Sequence, residues 1–219
     1  MKPLYLIAFS FLCSTFTANA QQGDIIDIAG TFRYWEIKLP VMNLVDLNSP
    51  NFQVGIERRF NKQNGVQLQG GFSFDKNCCS EVNGTRLRAE YRRYLLKSED
   101  WSYFIGTELF YTGYNMAIDG SFIDAATHTT YTDLYTLRKN MYGLNVKFGT
   151  YQFITKRFIF EAYAGLGLKY RIAKESGRSN PADEHEKPRH PNFYYVSVRP
   201  GEDVVLSVPL NFAIGYMIR

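Results

Sequence analysis

The sequence predicts an all-β chain, an eight-stranded antiparallel up-and-down transmembrane β-barrel, on three observations. Apolar and polar residues alternate with a period of two in segment after segment. Eight such segments can be counted, and the connections between them alternate in length. Beyond the first twenty residues, no apolar run reaches the roughly 20 residues that a spanning helix needs. A chain of 219 residues that is 16% aromatic and holds 17 glycines suits strands and tight turns better than helices.

The elements follow in order. The first and weakest spans about 25–38, with Ile26, Ile28, Phe32 and Tyr34 opposing Asp27, Thr31 and Arg33. In 51–60, Phe52, Val54, Ile56 and Phe60 oppose Gln53, Gly55, Glu57 and Arg59. In 65–74, Val66, Leu68, Phe72 and Phe74 oppose Gln67, Gln69, Gly71 and Ser73. In 85–95, Leu87, Ala89, Tyr91 and Leu95 oppose Arg86, Arg88, Glu90 and Arg92. In 101–112, Trp101, Tyr103, Ile105, Leu109 and Tyr111 oppose Ser102, Gly106, Glu108 and Thr112. In 138–150, Tyr142, Leu144, Val146 and Phe148 oppose Gly143, Asn145, Lys147 and Gly149. In 160–172, the apolar side from Phe160 to Ile172 opposes Glu161, Gly165, Gly167, Lys169 and Arg171. The last segment is the cleanest: Val204, Leu206, Val208, Leu210, Phe212, Ile214, Tyr216 and Ile218 all share one face.

Short turns are expected near 61–64, 96–100 and 151–156, and long connections over 39–50, 75–84, 113–137 and 173–202. This alternation belongs to barrels with short periplasmic turns and long outer loops, and an even strand number leaves both termini on the periplasmic side. A soluble barrel or sandwich would also alternate, with its apolar face inward. Two features favour the membrane reading. The polar face is rich in small and amide residues, as a narrow lumen requires. Aromatic residues gather near strand ends, with Trp101 and Tyr103 at one end and Tyr111 and Tyr114 at the other. The mean hydropathy of −0.26 does not discriminate, because half of each barrel strand is polar.

Three residues strain the pattern. Arg58 and Arg93 fall on the apolar side, but close to short turns, where a long side chain can snorkel into a head-group layer. Pro209 removes a ladder hydrogen bond from the final strand and predicts a bulge there.

The N-terminus reads as a targeting signal. Lys2, the apolar run "LYLIAFSFLC" and the small residues of "ANA" at 18–20 predict a signal peptide over 1–20 and a barrel domain over 21–219. Cleavage would lower the formal charge from +4 to +3 by removing Lys2, too little to suggest nucleic acid. The remaining Cys78 and Cys79 are adjacent, so the chain is not a disulfide-stapled scaffold.

With these segments counted, the chain resembles the small eight-stranded outer-membrane β-barrels of Gram-negative bacteria, the OmpA/OmpX-like type. The resemblance is one of architecture and covers about 24–219; the ending "GYMIR" departs from the terminal aromatic residue many such proteins carry. It implies a place in the cell outer membrane, with lipid and lipopolysaccharide around the barrel; the long loops could in addition dock another outer-membrane or surface protein.

The inward set is Glu57, Arg59, Arg86, Arg88, Glu90, Arg92, Glu108, Lys147, Glu161, Lys169 and Arg171. Four acids face seven bases, and an eight-stranded lumen is just wide enough for side chains to fill. A paired charge network filling the lumen is the expectation, and a narrow anion path the alternative. Lys169 and Arg171 should lie near the outer rim. The stretch 39–50 is apolar for a loop, and Val41, Met42, Leu44, Val45 and Leu47 could cover the mouth or dock another protein.

Little points to an enzyme. His128 stands near Asp124, Thr130 and Asp133 but without a neighbouring serine to activate, which leaves a lipid-modifying activity as a rival. His185 and His190 in "DEHEKPRH" are flanked by prolines and carboxylates and read as a solvated loop rather than a zinc site. No cofactor or metal is expected, and the role is read as structural or interactive through the long loops.

Overall fold

Strands that alternate polar and apolar side chains leave both backbone edges unpaired, and closing the sheet on itself satisfies every edge. The computed structural model does this, and describes residues 34–42, 51–61, 63–75, 81–97, 101–180, 183–185 and 200–218. The strands are β1 (Tyr34–Pro40), β2 (Asn51–Arg59), β3 (Asn64–Asp75), β4 (Glu81–Lys97), β5 (Trp101–Ile123), β6 (Thr130–Phe153), β7 (Phe158–Ser176), the two-residue β8 (Glu184–His185), β9 (Gly201–Ser207) and β10 (Leu210–Ile218). Neighbours in sequence pair antiparallel from β1 through β7. β9 and β10 then pair with β7 in turn, and β10 closes the ring on β1 with Trp35 opposite Ile218 and Pro40 opposite Ala213. β9 and β10 together form the eighth stave, so the body is a closed eight-stranded antiparallel barrel.

Pro209 interrupts that stave differently from the expected bulge. Ser207 opposes Gly167 and Leu210 opposes Ala164, three residues apart on both strands, so the register runs through unchanged. The break omits residues without shifting the ladder, and the Gly165 amide still donates to the Pro209 carbonyl at 2.9 Å. A register shift does occur in β4 between Tyr94 and Leu96, which the alternation did not indicate.

The first strand is read one residue out of phase by the sequence. Trp35 and Ile37 face outward, whereas Glu36 and Lys38 are buried inside, and Arg59 stacks over the Tyr34 ring. The run Trp35-Glu36-Ile37-Lys38 sets this phase; a phase extrapolated from Ile26 and Ile28 does not carry into it. Residues 25–33 lie outside the described residues, as do residues 1–20, where a signal peptide is expected, and Cys78, Cys79 and His190.

The connections at the long-loop end also differ. The stretch 113–137 is not a loop: β5 and β6 continue as a paired hairpin to Ile123 and Thr130. β3 and β4 likewise run on to Asp75 and from Glu81. The reason is a change in the alternation rather than its loss. Along β5, outward Ile105 and Leu109 give way to outward Asn115, Asp119 and Ser121, while Ile118 and Phe122 turn inward. Along β6, Tyr135 and Leu137 are inward, and Thr132, Thr136 and Arg138 are outward. Most large apolar residues leave the outer face where the inner face gains them, Leu134 at 54% exposed being one that stays outside.

That inversion falls at a row of tyrosines. Tyr111 opposes Tyr142, and Tyr142 opposes Tyr170, all facing outward, with the first two rings 5.1 Å apart. Below this row the outer face is an apolar belt in which Leu109 and Leu166 are each 62% exposed. At the short-turn end, Trp35, Trp101, Tyr103, Phe158 and Tyr216 close the belt. Tyr170 stands twelve residues beyond Phe158 on β7, a span of about 30 Å once a strand tilt of about 40° is allowed for.

Candidate functional site: the layered lumen

Inward positions on eight staves form four layers. The layer nearest the short turns is aromatic: Tyr94, Phe104, Tyr151, Ile159 and Tyr163 form one buried cluster with Phe153 against it. Glycine makes this possible beside the larger rings. A Cβ on Gly149 would stand 2.4 Å from the Phe104 ring and 2.8 Å from the Ala162 carbonyl oxygen, so only glycine lets the ring lie on the strand.

Above it is a lattice of ion pairs. Lys38 Nζ lies 2.6 Å from Glu57, 2.5 Å from Glu161 and 3.2 Å from Glu36. Arg92 bridges Glu90 at 2.8 Å, Glu57 at 3.1 Å and Glu161 at 2.6 Å. Lys147 holds Glu90 at 2.9 Å and also Glu108, which accepts a hydrogen bond from Asn145 at 2.8 Å. Tyr151 donates to Glu36 at 2.6 Å, and Tyr94 donates to Glu57. Arg59 is enclosed differently, with its guanidinium 3.5 Å from the Tyr94 ring centre and 4.2 Å from that of Tyr151. Removing so many charges from water is costly unless each finds opposite charge and hydrogen bonds, which this lattice supplies. Lys38, Glu57, Arg92 and Lys147 are essentially without solvent exposure.

The third layer is basic. Arg86 and Arg88 on β4, Lys139 on β6, and Lys169 and Arg171 on β7 face the lumen around the tyrosine row. Arg171 forms a two-pronged pair with Asp203 of β9 at 2.7 and 2.5 Å. Arg88 reaches Glu108 only at 3.7 Å. Lys139 lies three residues before Tyr142 in the chain, on the cap side of the tyrosine row and outside the apolar belt. Burial, then the charges of Arg171 and Lys169, push its pKa down to about 8.

The fourth layer is a cap with an ordinary apolar core. Ile118, Phe122, Tyr135, Leu137 and Ala173 pack together. Residues 177–180 and 183–185 pack against the inner side of the β5–β6 extension, with Arg178 over the Phe122 ring, Ser179 on Asp133 and, in β8, His185 opposite Phe122. The His185 ring lies 4.6 Å from that of Phe122, and its Nε2 is 2.8 Å from Glu175. Ser179 donates its backbone N–H to Asp133 at 2.8 Å, which holds the Asp133 carboxyl below its usual range. Tyr131 donates to Asp183 at 2.5 Å, and this bond pushes the phenol up to about 12.

The sequence-predicted residues sort accordingly. Glu57, Arg59, Glu90, Arg92, Glu108, Lys147 and Glu161 lie in the ion-pair lattice, while Arg86, Arg88, Lys169 and Arg171 lie in the basic layer. Glu36 and Lys38 were missed because of the phase of β1; Lys139 lies in the 138–150 segment but ahead of Gly143, where its polar face was first counted, and Asp203 lies one residue ahead of Val204, where the last segment was begun. Counting these, six acids (Glu36, Glu57, Glu90, Glu108, Glu161, Asp203) face nine bases (Lys38, Arg59, Arg86, Arg88, Arg92, Lys139, Lys147, Lys169, Arg171) below the cap among the described residues, and the cap adds Asp133, Glu175 and Asp183 with Arg178. Val41 donates to the Phe212 carbonyl at 2.8 Å and so continues the β1–β10 ladder, with Met42 half-buried beside it; Leu44, Val45 and Leu47 lie outside the described residues. His128 sits exposed in the β5–β6 turn with a positive φ of 53°, and Asp124 there accepts the amides of Ala126 and Thr127. Among the described residues no group of three or more His, Cys, Asp or Glu is placed to hold a metal.

A closed eight-stranded up-and-down barrel with a charged, filled lumen and an apolar outer belt is the class that fold and site define. Within that class, the chain belongs to the family described as "Protein of unknown function (DUF3575)", whose sequence pattern matches residues 8–198. Comparison with curated proteins gives no match. Among solved structures, the chain is similar to a major outer membrane protein from Thermus thermophilus, with 11% identity and a TM-score of 0.47 over 85% of this chain and 99% of that one.

Proposed function

We propose that the protein is a non-enzymatic barrel of the Gram-negative outer membrane that presents its β5–β6 extension and long connections as a structural or docking element outside the lipid. One observation carries this reading: the alternation inverts at the row Tyr111, Tyr142, Tyr170. Below that row large apolar side chains face outward and charges inward, as a barrel in hydrocarbon requires. Above it the arrangement is that of a water-soluble hairpin. A barrel immersed in water throughout would have no reason to change. The short turns then face the periplasm, and the belt contacts lipid and, in the outer leaflet, lipopolysaccharide.

Alkaline carbonate extraction tests the placement. The protein should remain with the membrane pellet and enter solution only with detergent; release by carbonate alone would sink the reading. Cross-linking from the cap in intact cells should recover a surface or outer-membrane protein partner, and recovery of none would remove the docking role. The filled lattice argues against a conducting pore, so planar bilayers should show no unitary conductance steps. The exposed turn holding His128 offers no enclosed geometry for acyl transfer, and H128A cells should keep their lipid A mass profile unchanged.

A further inference from the structure

The outer face carries a basic pair just beyond the tyrosine row. Four residues past Tyr111, Tyr142 and Tyr170 stand Asn115, Arg138 and Lys174, which the register sets side by side across β5, β6 and β7. All three are exposed and face outward. Arg138 and Lys174 are direct cross-strand partners, so their Cβ atoms stand about 5 Å apart, and like charges so placed disfavour the sheet. Among the described residues neither is in an ion pair. Thr136 and Ser176, opposite each other in the next outward row, add two exposed hydroxyls.

The nearby carboxylates are engaged or distant. Glu202 of β9, opposite Ile172, accepts the hydroxyl of Tyr170. Glu175, next to Lys174 in the chain, turns to Arg178 and His185 on the inner side. Asp133 and Asp183 are held by Ser179 and Tyr131. Asp119 faces outward opposite Leu134, four residues nearer the cap tip than Arg138, a distance of about 13 Å along the strand. Two cations this close gain most from one anion that both can share.

We propose that Arg138 and Lys174, with Asn115, Thr136 and Ser176 beside them, form a binding site for a phosphate group on the lipid head groups of the outer leaflet. The site rests on the membrane placement proposed above. A guanidinium fork and an ammonium on adjacent strands suit a phosphate monoester, which offers about two negative charges and three acceptor oxygens. Height selects the source. Four residues on a tilted strand carry the pair about 10 Å past the tyrosine row, and a head-group layer is about 5–8 Å deep, so long side chains reach back into it.

The test uses the full chain isolated from cells in maltoside micelles, with bound lipid counted by native mass spectrometry as diphosphoryl lipid A is added. Saturable binding is expected, weakening as ionic strength rises because the attraction is screened. The same lipid stripped of its phosphates should bind about tenfold more weakly or worse, as loss of a charge-assisted contact predicts. R138Q/K174Q should weaken binding of the phosphorylated lipid by about the same factor. R93Q, on the outer face of β4 at the short-turn edge, should leave it unchanged. R138K/K174R keeps both charges and should still bind, which separates a lost site from a lost fold. Inorganic phosphate at equal concentration should not displace the lipid; displacement would assign the site to a soluble phosphate and overturn the lipid assignment. Equal affinity for the two lipids, or equal affinity of wild type and R138Q/K174Q, would overturn the proposal. Carbonate extraction keeps the two readings apart: a chain that stays in the pellet without preferring the phosphorylated lipid loses this site alone, whereas release by carbonate removes the placement beneath it.

Discussion

Lys38 shows how much one side chain can carry in this lumen. It sits between Glu36, Glu57 and Glu161 with virtually no water contact. Lys38→Met keeps the stem but leaves buried carboxylates short of a cation, an uncompensated state that costs about 3–5 kcal/mol. Urea unfolding of protein folded into lipid vesicles should show a loss of that size; a change below about 1 kcal/mol would mean water already reaches the lattice. The same residue marks a limit of sequence reading. Charges on well-phased strands, such as Glu90 and Arg92, could be placed inward from alternation alone, but Lys38 required the phase set by Trp35 and Ile37. Pairing was beyond reach throughout, because Lys38 and Glu161 are 123 residues apart and meet only when β1 closes on β10 and β10 on β7.

Between β6 and β7 the backbones approach closely over glycine. A Cβ on Gly167 would fall 2.0 Å from the Leu144 carbonyl oxygen, whereas one on Gly70 of β3 would meet only Leu87 at 4.0 Å. Gly167→Ala should therefore destabilise by about 1–3 kcal/mol through overpacking, and Gly70→Ala should stay within about 0.5 kcal/mol. Equal effects in the same unfolding assay would contradict this account of the β6–β7 ladder. The "GLGLKYRI" stretch thus reads correctly as strand packing, with its glycines inward. The hairpin beyond it does not read, since Asn115 to Arg138 keep their period while exchanging which face is apolar. A segment scored for an apolar outer face looks like a loop when its solvent changes. The cap built there should respond to pH separately from the barrel. The Asp133 carboxyl is held below its usual value near 4 by the Ser179 amide, so its contribution is present above that pH and fades as pH falls through the lowered value. Below about pH 4, amides of residues 177–180 should exchange hydrogen faster while those of β5 below Tyr111 stay protected. Loss of protection in both together would show that cap and barrel unfold as one unit.

For the molecule as a whole, the proposed placement matches the outward side chains to two solvents, with the tyrosine row as the border between them. The eight-stave barrel, its polar lumen and the apolar outer face of seven staves were legible from period and phase, because burial on one face only forces alternation. The layering of the lumen was not, because it depends on which staves stand opposite one another across the ring. Border and belt together make one claim that a native probe can test. The chain has two tryptophans, Trp35 and Trp101, and both face outward at the short-turn edge of the belt. With the protein folded into vesicles of lipids brominated at graded depths, tryptophan fluorescence should be quenched most by bromines close to the head groups and little by those at the bilayer centre. Absence of quenching from every depth, or strongest quenching from the centre, would contradict an outer face that spans the lipid between these tryptophans and the tyrosine row.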